Sequence, residues 1–466
     1  MEEMKKEKPV EEKVGQKENK MGVMPINKLL LTMAIPMMIS MIVQALYNIV
    51  DSIFVAKLGQ DAFNAVSFSF PVQNVIIAIA SGTGVGMNAL ISRSLGEKNP
   101  ERANGFAMHG LFLAIVSSVL VMIIGGACAE WFFLSQTTNQ AVIVDGTDYV
   151  RICALCSFGV MGQIIFERLL QSTGKTFLSM LTQGFGAIIN LILDPILIFG
   201  LLGCPKMGVA GAAWATVIGQ IGACGLGLVL NIKYNKELSL NLKKFRLDFS
   251  KIKEIYRIGF PSILMQSIGS IMTYMMNRLL IDIEQTETAA AVFGAYFKLQ
   301  SFVIMPVIGL GNALTPIIAF NLGARRKDRM KHAYRLGLVY AISIMLVGAF
   351  AMIFFPQALL KLFDASASMT AMGEKAFRIV AIALLFAGYC ITTSNFFQAC
   401  GKSVYSLWMS LIRQLIVLIP LAYLFGYAFG YQTVWYAVPL AELASVVVAM
   451  FGYRAINKKM LANLEN

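Results

Sequence analysis

The most constraining feature of this sequence is that its two halves repeat one another. A shift of 227 positions places Leu95-Gly96 on Leu322-Gly323, and Gly174-Lys175 on Gly401-Lys402. One constant offset over that distance indicates a duplicated unit of about half the chain. We therefore predict two related halves that share one fold.

Each half contains six apolar runs long enough to cross a bilayer, for which a helix needs about 20 residues. Because six is an even number, the second half starts on the same side as the first, so the repeats are parallel. The predicted fold is an all-α integral membrane protein with twelve transmembrane helices in two six-helix bundles. The predicted spans are 27–56, 62–92, 104–127, 147–170, 177–202, 208–232, 254–281, 287–320, 332–355, 374–398, 403–427 and 432–456.

The composition also favours a lipid environment, because 57% of the residues are hydrophobic and only 14% are charged. A net charge of +13 would suit a nucleic-acid partner, but the basic residues fall in alternate loops and not on one patch. The positive-inside rule assigns those loops to the cytoplasm. We expect a multi-pass protein of a bacterial plasma membrane, with both termini cytoplasmic and no nucleic-acid partner.

The charge pattern also predicts where the domains begin and end. Residues 1–24 alternate Lys and Glu and should form a disordered cytoplasmic tail. The amino-terminal bundle is predicted at 25–232, a cytoplasmic linker at 233–253, the carboxy-terminal bundle at 254–456 and a cytoplasmic tail at 457–466. The first apolar run is too long for a cleavable signal peptide, so we expect it to remain as the first span.

Several apparent chemical motifs lack a required part. Gly174-Lys175-Thr176 resembles the end of a phosphate loop, but Leu169 stands where the earlier glycine is needed. Cys153 and Cys156 have no second cysteine pair near them, so neither a metal site nor a disulfide framework is expected. No nucleophile and base occur together at membrane depth. We therefore expect no enzyme activity, no cofactor and no nucleotide binding.

Two carboxylates lie within predicted spans of the first half, Asp51 in span 1 and Asp194 in span 5. A carboxylate near the bilayer centre costs roughly 2.5–3.5 kcal/mol on insertion scales, so both need a reason to be there. The helical rise places them at a similar depth near the outer ends of their spans, level with Tyr149 and Thr216.

Carboxylates held close together cannot both stay ionised easily, so one of them becomes a proton acceptor. Asp51, Asn190 and Asp194 could equally hold Na⁺ through their oxygen atoms, and the spacing does not decide between the two ions. The alternative is that both acids only hydrogen-bond helix to helix. That alternative is disfavoured because the second half, which packs in the same way, has Arg278 and Leu421 at the matching positions.

The second half has its own charged set at membrane depth, Lys298, Arg413 and Glu442. Arg413 and Glu442 lie on antiparallel neighbouring spans, and an unpaired charge there would be costly, so we predict an ion pair. Contact with a substrate is the alternative role for all three. Further candidates to line a substrate cavity are Gln44, Asn48, Met37, Met41, Gln266, Met272 and Asn277, the methionines offering a deformable wall.

Four segments together resemble one known family. They are Leu-Tyr-Asn-Ile-Val-Asp at 46–51 with Pro36 before it, Leu-Gly-Glu-Lys-Asn at 95–99, Leu-Gln-Ser-Thr-Gly-Lys at 170–175, and Asn190-x-x-x-Asp194-Pro195. The chain is similar over residues 24 to 456 to the multidrug and toxic-compound extrusion (MATE) transporters, and within them to the bacterial multidrug export proteins.

This resemblance implies a secondary antiporter that exports amphipathic, mostly cationic drugs in exchange for H⁺ or Na⁺. It implies two bundles that rock around a central cavity, a monomer in contact with membrane lipid, and small-molecule drugs as its partners. The family's cation-site residues correspond here to Pro36, Asp51, Tyr149, Asn190 and Asp194, with Thr216 beside them. A branch of the family also has acids in spans 7 and 10. Those spans lack a mid-span carboxylate in this chain, which points to coupling in the first bundle.

Two other transporter classes share parts of this pattern. A flippase for a lipid-linked precursor or polysaccharide would have the same duplicated architecture, and a wide basic cavity with Lys298 and Arg413 would favour it. A major facilitator also has twelve spans, but residues 93–103 lack the Gly-x-x-x-Asp-Arg loop expected after its second span.

Overall fold

The computed structural model describes residues 19–240, 245–284, 288–363 and 366–461, and these residues contain helices but no strand. Ten helices are long and apolar enough to span a membrane, and a bent helix pair makes an eleventh. The 36-residue helix at the position of predicted span 7 is not among these, but at about 54 Å it is long enough to cross a bilayer. The all-α, twelve-span prediction is confirmed.

The helices follow the predicted spans in order. They are α1 (Lys20–Val23), α2 (Ile26–Ala56), α3 (Gln60–Gly96), α4 (Pro100–Gln136), α5 (Gln140–Leu155), α6 (Phe158–Ser172), α7 (Thr176–Phe199), α8 (Gly208–Tyr234), α9 (Phe249–Glu284), α10 (Thr288–Gly323), α11 (Lys327–Phe354), α12 (Pro356–Lys361), α13 (Ala367–Ala399), α14 (Ser403–Leu411), α15 (Ile419–Phe429) and α16 (Ala437–Ile456).

Two predicted spans are interrupted. Span 4 consists of α5 and α6, which meet at a bend of 48°, where Ser157 donates a hydrogen bond to the Ser118 carbonyl. Span 11 consists of α14 and α15 joined by a π-helical turn, Ile412–Leu418. This turn precedes Pro420, which has no N–H to donate and therefore disturbs the hydrogen-bond register before it.

The two halves repeat the same packing. In the first half α3 packs against α4 and α6, and α2 packs against α7; in the second, α10 packs against α11 and α13, and α9 packs against α14. The repeat extends to single backbone conformations, because Lys98 and Arg325 have φ values of 54° and 57° at positions 227 residues apart. The predicted parallel duplication is thus visible in helix packing and in turn geometry.

The halves touch through α2 against α10 and α3 against α9. A Cβ atom on Gly96 would lie 2.0 Å from the Phe320 carbonyl, and one on Gly323 would lie 2.0 Å from the Arg93 carbonyl. These contacts are reciprocal, so the pseudo-twofold axis passes between the two glycines. We call this end of the bundle the basic side, because the loops that carry the predicted cytoplasmic lysines and arginines lie there.

Residues 19–24 form an ordered segment, which we call the N-terminal strap, although the sequence predicted a disordered tail as far as residue 24. Met21 is fully buried, and its carbonyl accepts hydrogen bonds from Asn321 and Arg329. Asn19 donates to the Thr173 carbonyl of the first half. Contacts with residues distant in sequence thus order the strap, and the composition of the segment does not indicate such contacts. Residues 1–18 lie outside the described ranges.

The predicted linker also contacts the bundle. The backbone N–H of Asp248 donates to Nε2 of His109 at 2.9 Å, and the ring of Phe245 lies 5.1 Å from the His109 ring. His109 therefore fastens the linker to α4. After α16, a π-helical turn continues to Leu461, and the rest of the predicted carboxy-terminal tail lies outside the described residues.

Candidate functional site

Helices α7 and α8 approach closely enough to bring their polar side chains together. A Cβ atom on Gly186 would lie 3.0 Å from the Gly219 carbonyl, and one on Gly219 would lie 2.7 Å from the Gly186 carbonyl. Small residues at such a crossing let two membrane helices pack backbone to backbone. The crossing places Asn190, one turn beyond Gly186, opposite Thr216.

Asn190 is the centre of a buried polar cluster. Its Nδ2 atom donates to Oδ1 of Asp194 and to Oγ1 of Thr216, each at 3.3 Å. Asp194 is fully buried and Asn190 is 3% exposed. The half-buried Asp51 of α2 lies within electrostatic range of Asp194, and Tyr149 of α5 lies within range of Asp51. Four helices thus bring the predicted polar residues into one neighbourhood.

Three oxygen atoms of this cluster have no hydrogen-bond partner within the described part of the chain. They are Oδ1 of Asp51, Oδ1 of Asn190 and Oδ2 of Asp194. All three are acceptors, and buried acceptors are normally satisfied. A proton bound to a carboxylate, or a cation coordinated by the oxygen atoms, would satisfy these acceptors. The donor set is therefore compatible with either H⁺ or Na⁺.

Pro36 lies apart from the cluster. It is buried in α2, fifteen residues before Asp51, or about 22 Å along the helix. The next residues, Met37 and Met38, touch Gly309 of α10, where a Cβ atom would lie 2.7 Å from the Met37 carbonyl. Pro36 is thus positioned to bend α2 beside the contact between the halves, not to contact an ion directly.

A first cavity of about 120 Å³ lies inside the first half and reaches the cluster at Asn190 and Thr216. Gln44 and Met41 of α2 line it, as predicted for a substrate cavity. Gln183 donates to Oε1 of Gln44 at 2.9 Å, so the polar faces of α2 and α7 meet there. The polar cluster around Asn190 and this cavity are therefore continuous.

Two charged residues of this cavity were missed by the sequence analysis. Glu167 is 8% exposed and accepts a hydrogen bond from Gln163 at 3.0 Å. Arg168 donates to Oδ1 of Asn312 across the boundary between the halves, at 2.9 Å. The sequence contained a signal, because two adjacent charges inside a predicted span require an explanation, as Asp51 does. They lie three and two residues before the predicted end of span 4 at residue 170, so they resembled charges next to a loop.

The second half contains the predicted ion pair, with Nη1 of Arg413 3.1 Å from Oε1 of Glu442. Arg413 lines a second cavity of about 170 Å³ and a third of about 260 Å³, while Glu442 and Met272 line the third. The prediction of an Arg413–Glu442 pair is confirmed, and both residues also face open space.

The second cavity is the duplicate of the first. The offset of 227 takes Gln163, Glu167 and Arg168 of the first cavity to Cys390, Ser394 and Asn395, which line the second. The charges of Glu167 and Arg168 thus have no counterpart at the matching positions of the second cavity, whose wall contains Arg413 instead, so the two halves share a shape but differ in chemistry.

The other predicted cavity residues lie outside the linings of these three cavities. Met37 is buried at 1% exposure and packs against Gly309 in the contact between the halves. Asn48, Gln266 and Lys298 are exposed, and Asn277 is half-buried. Lys298 has therefore no place in the walls of the third cavity, although its neighbour Phe297 does.

Comparison with known proteins agrees with this architecture. The MatE family model matches residues 36–196 and 258–424, one segment in each half. A relative from Shewanella oneidensis named FAD transporter is 29% identical over 90% of this chain and 92% of its own length. The multidrug export protein MepA of Staphylococcus haemolyticus is 26% identical over 91% of this chain and 93% of its own.

A solved structure described as the outward-facing conformation of a multidrug resistance MATE family transporter of the MOP superfamily superimposes with a TM-score of 0.88. It is 29% identical in sequence, and the match covers 95% of this chain and 98% of that one. The family model matches well over half of the chain in two repeated segments, and the fold matches along nearly the whole length. The chain therefore belongs to the MatE family of membrane transporters.

Proposed function

We propose that this protein is a secondary antiporter that exports amphipathic, mostly cationic drugs in exchange for H⁺ or Na⁺. The observation that carries the proposal is the set of unpartnered acceptor oxygens on Asp51, Asn190 and Asp194. These atoms lie beside a cavity that reaches Asn190. A site of this kind can bind a cation or a proton, and its charge then alters the affinity for a ligand bound nearby.

Alternating access is supported by where the halves are joined. Gly96 and Gly323 close the basic side by backbone contact, and Arg102 pairs with Glu254 between the halves at 3.1 Å. The strap adds a further connection through Arg329. By the positive-inside rule the basic side is cytoplasmic, so this conformation is closed toward the cytoplasm. The similarity to an outward-facing structure supports the same assignment.

The proposed cycle couples ion and drug through one region. In the outward-facing state, Asp51 and Asp194 take up H⁺ or Na⁺ and lose negative charge. The loss of charge, together with a rearrangement of α2 at Pro36, weakens drug binding, so drug leaves outside and the ion later leaves inside. Coupling of about 1–3 kcal/mol is typical of linked sites, and an inward unit charge gains about 2.3 kcal/mol per 100 mV.

The substrate class is supported by the first cavity and by the relatives. Glu167 supplies a buried acid to the cavity wall, and Arg168 is engaged by Asn312 and Gln171. Relatives that are 24–26% identical are named multidrug export protein MepA. We place the protein in a bacterial plasma membrane as a monomer in contact with lipid, with both termini cytoplasmic.

Export of a flavin-type compound is a second candidate function. It is favoured by the relative named FAD transporter and by the third cavity, whose wall contains Phe293, Tyr296 and Phe297.

A lipid-linked precursor flippase has less support. The expected wide basic cavity would need Lys298, which is exposed and outside the third cavity's lining, and Arg413, whose charge is paired with Glu442.

Transport in proteoliposomes tests the proposal. The purified protein is reconstituted, and ethidium movement is followed after a pH gradient, a Na⁺ gradient or neither has been imposed. We expect uphill ethidium transport with at least one of the two gradients and none without. Equal ethidium movement under all three conditions would refute antiport.

A further inference from the structure

The third cavity contains three polar groups that lack a partner within the described residues. They are the hydroxyl of Tyr296, the Nε–H of Arg413 and the Oε2 atom of Glu442. All three residues line the cavity, and Tyr296 and Glu442 are only 2% and 5% exposed. A buried polar atom without a partner is unfavourable, so three of them in one wall indicate a site that a ligand completes.

The ion pair explains why two of these groups remain available. Nη1 of Arg413 and Oε1 of Glu442 bind each other, while the buried Nε–H of Arg413 and the Oε2 atom of Glu442 stay without a partner among the described residues. Tyr296 lies within electrostatic range of both residues. The charges of the pair cancel, so this site differs from the acidic cluster of the first half and favours a ligand that is neutral where it binds.

The rest of the wall is aromatic and deformable. The ring of Phe293 lies 6.2 Å from that of Tyr296 and 6.3 Å from that of Phe297, and Met272 adds a thioether. Such surfaces pack well against a flat ring system. The cavity has a volume of about 260 Å³, just below the range of about 300–1,000 Å³ that is usual for sites holding drug-sized ligands, so it suits a ligand at the small end of that class.

These groups are not inherited from the duplicated unit. The offset of 227 takes Tyr296 to Ser69 and Arg413 to Gly186. The first half therefore folds in the same way without them, so packing of the common fold does not explain their presence in the second half. A specific role of the third cavity does explain the presence of these groups in the second half.

We propose that the third cavity binds a planar, neutral aromatic heterocycle through an imide edge, in which one N–H stands between two carbonyl groups. Glu442 accepts from the ligand N–H, while Arg413 and Tyr296 each donate to a carbonyl. The three unpartnered groups and the three groups of an imide are complementary. This inference rests on the second candidate function, export of a flavin-type compound, and it names the part of such a compound that the third cavity recognises.

Fluorescence titration of the purified full-length protein in detergent tests the proposal. The probes are lumiflavin, a neutral three-ring imide, and 3-methyllumiflavin, in which a methyl group replaces the imide proton. We expect lumiflavin to bind at least tenfold more tightly than its methylated form, because the methyl group removes the donor that Glu442 requires. Equal affinities, or no lumiflavin binding, would overturn the proposal.

Tyr296→Phe isolates the hydroxyl group. Since that hydroxyl has no partner within the described residues, its removal should leave folding intact while lumiflavin binds about three- to tenfold more weakly. The matched control is Tyr334→Phe, because the hydroxyl of Tyr334 is buried and bonded to Thr393 at 2.8 Å, outside the cavity. The control should bind lumiflavin normally; an unchanged affinity in Tyr296→Phe would contradict the assignment.

The double variant Arg413→Met with Glu442→Leu removes both charges together and so avoids leaving one buried charge alone. This variant should bind lumiflavin and 3-methyllumiflavin with equal affinity. If lumiflavin still binds more tightly, the ion pair does not recognise the imide.

Gradient-driven ethidium transport separates the two proposals. If ethidium transport persists without lumiflavin binding, only this inference fails; if lumiflavin binds without any gradient-driven transport, only antiport fails.

Discussion

At the scale of single residues, the first half concentrates unsatisfied acceptors and the second half concentrates a neutralised charge pair. Asp194 is fully buried and has only the Asn190 amide as a described donor. Arg413 and Glu442 satisfy each other in part. An unpaired buried carboxylate is much less stable than a paired one. The cluster around Asp194 is therefore the place where a proton or a cation has most effect.

Asp194→Asn tests this contrast. The amide keeps the shape but removes the charge, so gradient-driven transport should fall at least tenfold. Thermal stability should be unchanged or higher, because a buried carboxylate with few donors has been removed. Ethidium flux and a thermal unfolding curve measure the two effects.

Asp148→Asn is the matched control, because Asp148 lies on α5 of the same half and is exposed. It should transport at the normal rate. A fully coupled Asp194→Asn variant would remove Asp194 from the ion site.

At the scale of helices, the closed basic side depends on two contacts of different kinds. Gly96 and Gly323 let the ends of α3 and α10 touch through their backbones. The strap crosses between the halves and holds the second through Arg329, which donates to the carbonyls of Met21 and Met24 at 3.2 and 2.7 Å. Both contacts must break if the basic side is to open.

Gly323→Ala should favour opening, because its Cβ would lie 2.0 Å from the Arg93 carbonyl. Overpacking of this kind costs about 1–3 kcal/mol, which corresponds to roughly 5- to 150-fold in the equilibrium. The buried Cys400 of the second half lies within electrostatic range of Arg93. With the other cysteines replaced, the rate of maleimide labelling at Cys400 measures opening.

The control for this variant is Gly184→Ala, since a Cβ at Gly184 would meet no heavy atom within 4 Å. Labelling at Cys400 should rise in the Gly323 variant and stay unchanged in the control. Equal labelling in both would show that the glycine contact does not hold the basic side closed.

Arg329→Gln tests the strap in the same assay. The shorter neutral side chain gives up hydrogen bonds to two strap carbonyls and to Oδ1 of Asn321, so Cys400 labelling should rise about three- to tenfold. Arg335→Gln is the control, because Arg335 is exposed on the same helix. A response of similar size in the two variants would mean that charge alone, and not the strap, controls opening.

At the scale of the whole molecule, the sequence predicted the features that follow from the cost of polar groups in lipid. The twelve spans, the duplication and the neighbourhood of Asp51 and Asp194 all follow from that cost and from the constant offset. The Arg413–Glu442 ion pair was predicted because the two residues lie on antiparallel neighbouring spans. The strap depends on which surfaces meet in three dimensions, so local patterns did not indicate it. The adjacent charges of Glu167 and Arg168 were visible in the sequence, but the contact of Arg168 with Asn312 follows only from the packing of the two halves.

The central claim is that ion and drug binding oppose each other through Asp51, and linked equilibrium binding tests it most directly. Ethidium affinity is measured by fluorescence at several pH values and Na⁺ concentrations, for the unaltered protein and for Asp51→Asn. The account predicts that ethidium binding weakens about 5- to 150-fold as H⁺ or Na⁺ saturates the site, and that Asp51→Asn abolishes this dependence. An ethidium affinity that is independent of both ions in the unaltered protein, or a dependence that survives in Asp51→Asn, would contradict it.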